Sequence, residues 1–480
     1  MGHVKQVFRK LPGNYWWANV MELFERWAWY GMFMVLALYL TGSSDTGALG
    51  FTQIQKGLLM GTVVMTLYFL PVITGALADK FGFKKVLIAS YLILTSGYFM
   101  MGQFTSFTSM FIAFFYVGLG AGLFKPVIQA TVAKSTDAES SSIGFGIFYM
   151  MVNIGAFIGP LFSSELRLHS WKYVFLMSSG IILINLLIVI FFYKEPPRVV
   201  QNEPLGKSML QVFKNIWSAL SDLKFLTFLV IIIGFWSMYN QLFYTLPVFI
   251  EQWVDTSVVY NAIHSFSPGL ARAFGTPEGT IAAERLTNMD AFYIIVFQIL
   301  VSSVVMRFRP LKAMMGGILV CAIGIGLWFV TQNGLYLFIS LLIFGLGEMS
   351  SSPKISEYIG RIAPPDKVAL YMGCSFIPLA GGNFIAGLLS GGVYSAMADK
   401  ISLLQREITA RGLSIQEISA TFTQNDYLRK AGELMGMDPH TLTDYLWNTY
   451  HPSNIWMVFS GIGVGTVILL YLYDRLWLKS

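Results

Sequence analysis

Apolar stretches of roughly 20 residues, the length of a helix that crosses a bilayer, recur from one end of the chain to the other. They predict twelve spans at about 16–41, 52–77, 83–102, 106–133, 141–163, 172–193, 224–250, 289–309, 312–331, 334–360, 367–395 and 453–474. A polar connector at about 194–223, with Pro196, Pro197, Pro204, Lys194, Arg198, Lys207 and Lys214, divides them six and six. The expectation is an all-α, multi-pass membrane protein. Residues 1–193 form one six-helix bundle, 194–223 a linker, and 224–480 a second bundle.

Basic residues orient the spans. The N-terminus, the 78–85 loop, the connector, the 306–312 loop and the C-terminus are rich in Lys and Arg, whereas 103–106 and 332–334 have none. Positive loops stay inside, so both termini are expected in the cytoplasm and the linker with them. Two longer segments, about 251–288 and 396–452, then fall outside as inserts. A 57-residue loop without structure is uncommon, so the second insert is expected to be helical. Gly412 can end one helix, Ser414 with Glu417 reads as a capping box, and Asp438-Pro439 reads as an N-cap and first helical position. The bland reading of the inserts is two surface hairpins with no role; the hypothesis set against it is an outer cap over the spans.

Composition narrows the class. The 480 residues are 55% hydrophobic and 12% charged, against about 25% charged in a soluble chain. The net charge of +6 therefore reads as membrane topology, and no nucleic-acid partner is expected. Cys321 and Cys374 lie in apolar segments and form no disulfide framework or metal spacing. The first span is too long and aromatic for a cleaved signal. Gly206-Lys207-Ser208 lacks the upstream glycine of a phosphate loop, since Gln201 stands there. No H-E-x-x-H or G-x-S-x-G motif occurs, and the five histidines lie outside the spans or at their edges. Neither an enzyme nor a cofactor or metal site is expected.

The charges inside the spans carry the chemistry. Glu22, Glu25 and Arg26 are spaced i, i+3 and i+4, which puts them on one face of the first helix. A charge at membrane depth costs on the order of 2.5–3.5 kcal/mol, so such groups line a polar cavity, pair, or mark an ion path. A carboxylate that holds Arg26 keeps it from substrate. Protonating the carboxyl frees the arginine to take a substrate carboxylate, which couples proton entry to binding. Lys125 lies mid-helix beside Pro126, with no acid near it in sequence, and is a second cation for a substrate carboxylate. Glu348, among Gly345, Gly347 and Ser350, reads as the lone central acid of the second half.

Several motifs resemble known families. Gly75-Ala-Leu-Ala-Asp79-Lys80-Phe-Gly82-Phe-Lys84-Lys85 resembles the signature loop of the major facilitator superfamily, which implies that fold and a gating role for Asp79 and Lys80. Glu22-Leu-Phe-Glu25-Arg26-Trp-Ala-Trp29-Tyr30-Gly31 resembles the E-x-x-E-R-F-x-Y-Y-G signature of the proton-dependent oligopeptide transporters. Gly118-Leu-Gly120-Ala-Gly122-Leu-Phe-Lys125-Pro126, Phe148-Tyr149-Met-Met-Val-Asn153-Ile-Gly155-Ala156, and Gly345-Leu-Gly347-Glu348 with Pro353 and Met372-Gly373 resemble further helices of that family. The resemblance covers the spans but not the inserts.

It implies a proton symporter that imports short peptides or peptide-like zwitterions by alternating access, as a monomer in a bacterial inner membrane. Glu22, Glu25, Arg26 and Glu348 would couple protons. Arg26, Tyr30, Tyr68, Lys125, Asn153, Trp236, Asn240, Asn288, Glu348 and Ser375 would line the substrate site, with Glu348 holding the substrate amino group. Three positions depart from the pattern. Phe33 stands where the family usually has a second arginine, Asn240 where its seventh helix has an acid, and Ser375 where it has a tryptophan. They open an alternative: another cargo (a modified peptide, a nucleoside, a siderophore) or an exporter.

Overall fold

The structure, a computed structural model, describes residues 11–137, 140–197, 205–328, 330–365 and 367–477. Nearly all of it is helical. Among the described residues, eight helices are long and apolar enough to cross a membrane, and shorter apolar helices accompany them. Large side chains such as Phe191, Ile299 and Val330 stand 72%, 85% and 74% exposed. Apolar exposure of that extent fits a chain whose solvent is lipid.

Most expected spans appear as helices, among them Gly13–Thr41, Phe83–Met101, Phe107–Lys134, Ser141–His169, Trp171–Phe191, Met289–Val305, Pro310–Gly326, Leu335–Ile362 and Asn454–Trp477. Three expected spans are interrupted. The second divides into Gln53–Phe69 and Pro71–Phe81, with Pro71 opening the second piece, where its missing N–H costs nothing. The seventh breaks after Tyr239 into Leu223–Tyr239, Gln241–Tyr244 and Leu246–Trp253. The eleventh runs Val368–Cys374, Phe376–Leu388, a π-helical turn Leu389–Val393, and Tyr394–Met397. The polar connector contains the helix Leu205–Leu220, with Leu210, Phe213 and Trp217 exposed along it.

The chain forms two compact units. One comprises Met1–Phe33, Val63–Leu223 and Asp366–Ala380; the other comprises Met34–Thr62, Lys224–Pro365 and Gly381–Ser480. In the first unit, Phe83–Met101 packs on both Phe107–Lys134 and Trp171–Phe191. A Cβ on Gly120 would lie 2.9 Å from side-chain atoms of Ile93 and Leu94, and Ser90 Oγ donates to Gly120 O at 2.7 Å. Lipid gives helices no hydrophobic reason to associate, so such small-residue contacts and interhelical hydrogen bonds hold them.

In the second unit, Pro310–Gly326 packs against Leu335–Ile362 through Gly317 and Gly347, with Asn454–Trp477 behind it. Trp328, Trp456 and Phe249 form an aromatic core, with ring centroids 4.8 Å apart for Trp328–Trp456 and 5.2 Å for Phe249–Trp456. The same unit holds a crossing of helix Gln53–Phe69 on Phe376–Leu388 and its π-turn. Backbone meets backbone there: a Cβ on Gly61 would sit 3.1 Å from Gly387 Cα, and one on Gly391 3.2 Å from Gln53 O. Lys56 is fully buried beside it, its ammonium donating to Tyr244 O at 2.8 Å and lying 5.3 Å from the Tyr394 ring centre.

Both inserts are helical. The first contains Ser257–Phe266, Pro268–Phe274 and Ala283–Thr287. The second contains Lys400–Ala410, Gln424–Met435 and Pro439–Tyr450. Gly412, at φ 67°, follows the first of these, as expected. Asp438 caps the third, accepting from His440 N at 3.0 Å and Thr441 N at 3.2 Å, with Pro439 at the first position. Ser414 and Glu417 do not form a capping box. That stretch is irregular and ends in a Ser419–Phe422 bridge, and the reciprocal box is made by Thr423 and Asp426. The second insert reaches the 43–45 turn, where Asn425 Nδ2 donates to Asp45 Oδ2 at 2.9 Å and Asn425 N to Ser43 Oγ at 3.2 Å.

Candidate functional site

The first helix carries its three charges as one network in the first unit. Arg26 Nε donates to Glu25 Oε2 at 2.6 Å and lies 3.3 Å from Glu22 Oε1, while Arg26 Nη2 also contacts Glu25. Glu22, Glu25 and Arg26 are 6%, 0% and 6% exposed, so the ions are held away from bulk water. Glu25 Oε1 has no hydrogen-bond partner. The guanidinium lies 6.0 Å from the Tyr30 ring centre.

Glycines bring the fifth expected span against this network. A Cβ on Gly155 would lie 2.5 Å from Leu23 O and 2.8 Å from Arg26 Cβ, and one on Gly159 would lie 2.7 Å from Gly31 N. Only glycine lets the two backbones approach at the turn that holds Arg26. Lys125 enters from helix Phe107–Lys134, one residue before the internal Pro126. Its ammonium lies 4.1 Å from the Tyr68 ring centre, a cation–π distance, and within electrostatic reach of Glu22, Glu25 and Arg26. The expected cationic pole is thus assembled: Arg26, Lys125, Tyr30 and Tyr68 share one unit with the two carboxyls.

Other expected residues of that unit turn inward on their own helices. Asn153 Nδ2 donates to Tyr149 O at 2.9 Å, and Ser375 Oγ to Met372 O at 2.6 Å. Phe33, at the position of a missing arginine, stacks on Trp29 with centroids 5.2 Å apart. Lys80 lies in the last turn of Pro71–Phe81; the Asp79 side chain lies outside the described residues.

The second unit holds the acidic pole. Glu348 Oε1 accepts from Tyr239 OH at 2.9 Å, and Tyr239 meets Trp236 edge-on at 5.3 Å. Asn240 is buried, and its Nδ2 donates at 2.7 Å to Trp236 O, a carbonyl that also accepts from Asn240 N at 3.1 Å. Asn288 is buried at the N-cap position of helix Met289–Val305.

Glu348 is not the lone central acid of its half. Asp290, 4% exposed, lies within hydrogen-bonding reach of it. Sequence reading missed Asp290 because it lies just inside a predicted span edge, without a charged neighbour at helical spacing. The Lys56–Gly57–Gly61 crossing was missed too. Its only sequence signal is glycine at i and i+4 in each partner, Gly57 with Gly61 and Gly387 with Gly391.

Known proteins place the chain as follows. Its sequence matches the profile of the Major Facilitator Superfamily over residues 20–290. The multidrug resistance protein MdtH of Aeromonas hydrophila subsp. hydrophila is 24% identical over 362 residues, 75% of this chain and 83% of that protein. The peptide transporter YePEPT of Yersinia enterocolitica subsp. palearctica is 30% identical over 174 residues, 35% of this chain and 34% of its own length. A solved POT family transporter in complex with 5-aminolevulinic acid superposes with a TM-score of 0.71 at 16% identity, covering 97% of this chain and 99% of its own.

Proposed function

The chain belongs to the Major Facilitator Superfamily, and from that premise we propose that it is a proton-coupled symporter importing short peptides or peptide-like zwitterions by alternating access. Family and fold are those of transporters, and the fold is that of solved POT family proteins, as the motifs implied. The observation that carries the proposal is the buried Glu22–Glu25–Arg26 network with Lys125 beside it. Burying such ions for structure alone is rarely stabilising, whereas a transporter needs charges that change partners.

In the proposed cycle Arg26 is held by both glutamates. A proton arriving on Glu25 removes the stronger of its two contacts. Arg26 and Lys125 then meet the substrate carboxylate, and Glu348 meets its amino group. One proton crossing with 100 mV contributes about 2.3 kcal/mol, nearly two decades of accumulation at about 1.4 kcal/mol per decade.

We place the end of the spans that bears the inserts outside the cell and both termini in the cytoplasm, in a monomer in a bacterial inner membrane. The Gly57–Gly387 crossing is read as a contact that opens and closes during the cycle, with the halves 1–193 and 224–480, joined by the 194–223 linker, as the parts that alternate. Proteoliposome uptake of labelled dialanine, with and without an inward proton gradient, tests the proposal. Accumulation that depends on the gradient supports it; uptake indifferent to the gradient refutes proton coupling.

A second reading keeps the fold and changes the cargo or its direction. The match to MdtH over three quarters of the chain and the departures at Phe33, Asn240 and Ser375 favour considering it. No dialanine uptake by folded protein, together with displacement of a bound probe by drugs or nucleosides, would select it.

A further inference from the structure

The acidic pole contains a feature that the transport reading does not use. Asp290 stands in the first turn of helix Met289–Val305 and Glu348 in the middle of Leu335–Ile362. Gly345, three residues before Glu348, makes room for the aspartate: a Cβ there would lie 3.0 Å from Asp290 Oδ1. The two carboxyls lie within hydrogen-bonding reach of each other. Ionised carboxylates only accept hydrogen bonds, so a bond between them needs a proton on one of them. Two carboxylates this close do not both ionise at low cost.

The surroundings offer no cation in its place. The titratable groups that face the pair are Tyr239 from helix Leu223–Tyr239, Tyr293 one turn along from Asp290, and Cys321 from helix Pro310–Gly326. Phenols and thiols are neutral near pH 7. Among the described residues, neither acid has an ion-pair partner. No N–H or O–H donor from another group reaches Asp290 Oδ1 or Glu348 Oε2, both of which are buried.

We propose that Asp290 and Glu348 form a second proton-binding site that holds a single proton between the two carboxyls. The site belongs to the second unit and is distinct from Glu22 and Glu25 of the first. Asn240 cannot carry a proton, and Asp290, from the neighbouring span, gives this half of the molecule an acid that can exchange one with Glu348. The proposal rests on the transport reading for its purpose but not for its existence. Hydronium delivers the proton, which is held between the two oxygens and leaves to water when a donor such as an ammonium group takes up the freed carboxylates.

Infrared difference spectroscopy of the purified full-length protein on a pH jump tests this without any substrate. The wild type is expected to give one protonated-carboxyl band from the pair. Asp290→Asn and Glu348→Gln, both near-isosteric, are each expected to abolish or shift that same band, while Glu22→Gln leaves it in place. Size-exclusion chromatography confirms that each variant is folded. Two separate bands, one lost per variant, overturn the shared proton. Bands unchanged in both variants overturn the site. Failure of dialanine uptake refutes the transport reading and leaves this result standing.

Discussion

Substituting Gly57 by alanine tests whether the glycine crossing of helices Gln53–Phe69 and Phe376–Leu388 is a working gate. A Cβ on Gly57 would run into the Gly387 carbonyl oxygen and lie 2.9 Å from both Gly391 N and Gly391 Cα. All of these are backbone atoms, so no rotamer change relieves the clash and the helices must part by on the order of 1 Å. Overpacking of this kind costs about 1–3 kcal/mol. If the crossing opens in the other state of the cycle, the penalty falls on the closed state alone. At about 1.4 kcal/mol per decade that shifts the closed-to-open ratio by roughly 5- to 150-fold. The better helix propensity of alanine acts in both states and cancels. The assay is thiol labelling of Gln53→Cys, a buried position at the crossing, in a background lacking Cys321 and Cys374. Adding Gly57→Ala is expected to raise the labelling rate within that range. Gly392→Ala is the control, since its Cβ would meet nothing within 4 Å. Labelling unchanged by Gly57→Ala, or raised equally by Gly392→Ala, refutes the gate.

Other outcomes follow from the same contacts. Glu25→Gln is expected to abolish gradient-driven uptake while leaving counterflow exchange; retained gradient-driven uptake in the Glu22→Gln/Glu25→Gln double variant refutes coupling at the first helix. Lys125→Ala is expected to lose substrate binding, read as loss of peptide competition against a bound probe. Lys56→Met removes a buried ammonium while Tyr244 O keeps the Ser390 Oγ donor at 3.0 Å, so thermal unfolding in detergent is expected to be unchanged or shifted upward; a clear drop in Tm shows that the ammonium is structurally required. In the 43–45 turn, burial pushes the Asp45 carboxyl up, but hydrogen bonds from Ser43 and Asn425 outweigh it and hold the group below its usual 3.8. The depressed value means that the contact with the second insert is complete above pH 3.8 and is lost as pH falls through the lowered value. Hydrogen exchange in helix Gln424–Met435, measured relative to the intrinsic rate of a free amide at each pH, is therefore expected to be less protected in acid. At neutral pH Asn425→Ala should speed it roughly fivefold, for about 1 kcal/mol of lost hydrogen bonding.

What could be read from the sequence was whatever one element carries by itself. Apolar length marked the helices to within a few residues. The spacing of Glu22, Glu25 and Arg26 located an ion network that the structure keeps intact. Asp438-Pro439 signalled its own helix start because capping is local. The Ser414–Glu417 box has the same local pattern and fails, since Thr423 and Asp426 offer a competing start in which both side chains reach a backbone N–H. What could not be read was made by crossings.

Lys56, in isolation, is a basic residue near the end of a span, where a lysine ordinarily reaches water. It is buried because Gly57 and Gly61 bring Phe376–Leu388 over it, so that Tyr244 and Tyr394 close around its ammonium. Asp290 is likewise ordinary until Gly345 admits its carboxyl beside Glu348. In both places the charged residue is visible and its meaning lies in a glycine on another helix. Asn240 and Asp290 therefore belong together. Asn240 serves its own backbone at the helix break, while Asp290 supplies an acidic group, so the second half of the chain has two clustered carboxyls although its seventh span has no acid. Motif comparison registers Asn240 as a loss. The place of Asp290 beside Glu348 emerges only when the packing of helix Met289–Val305 on Leu335–Ile362 is known.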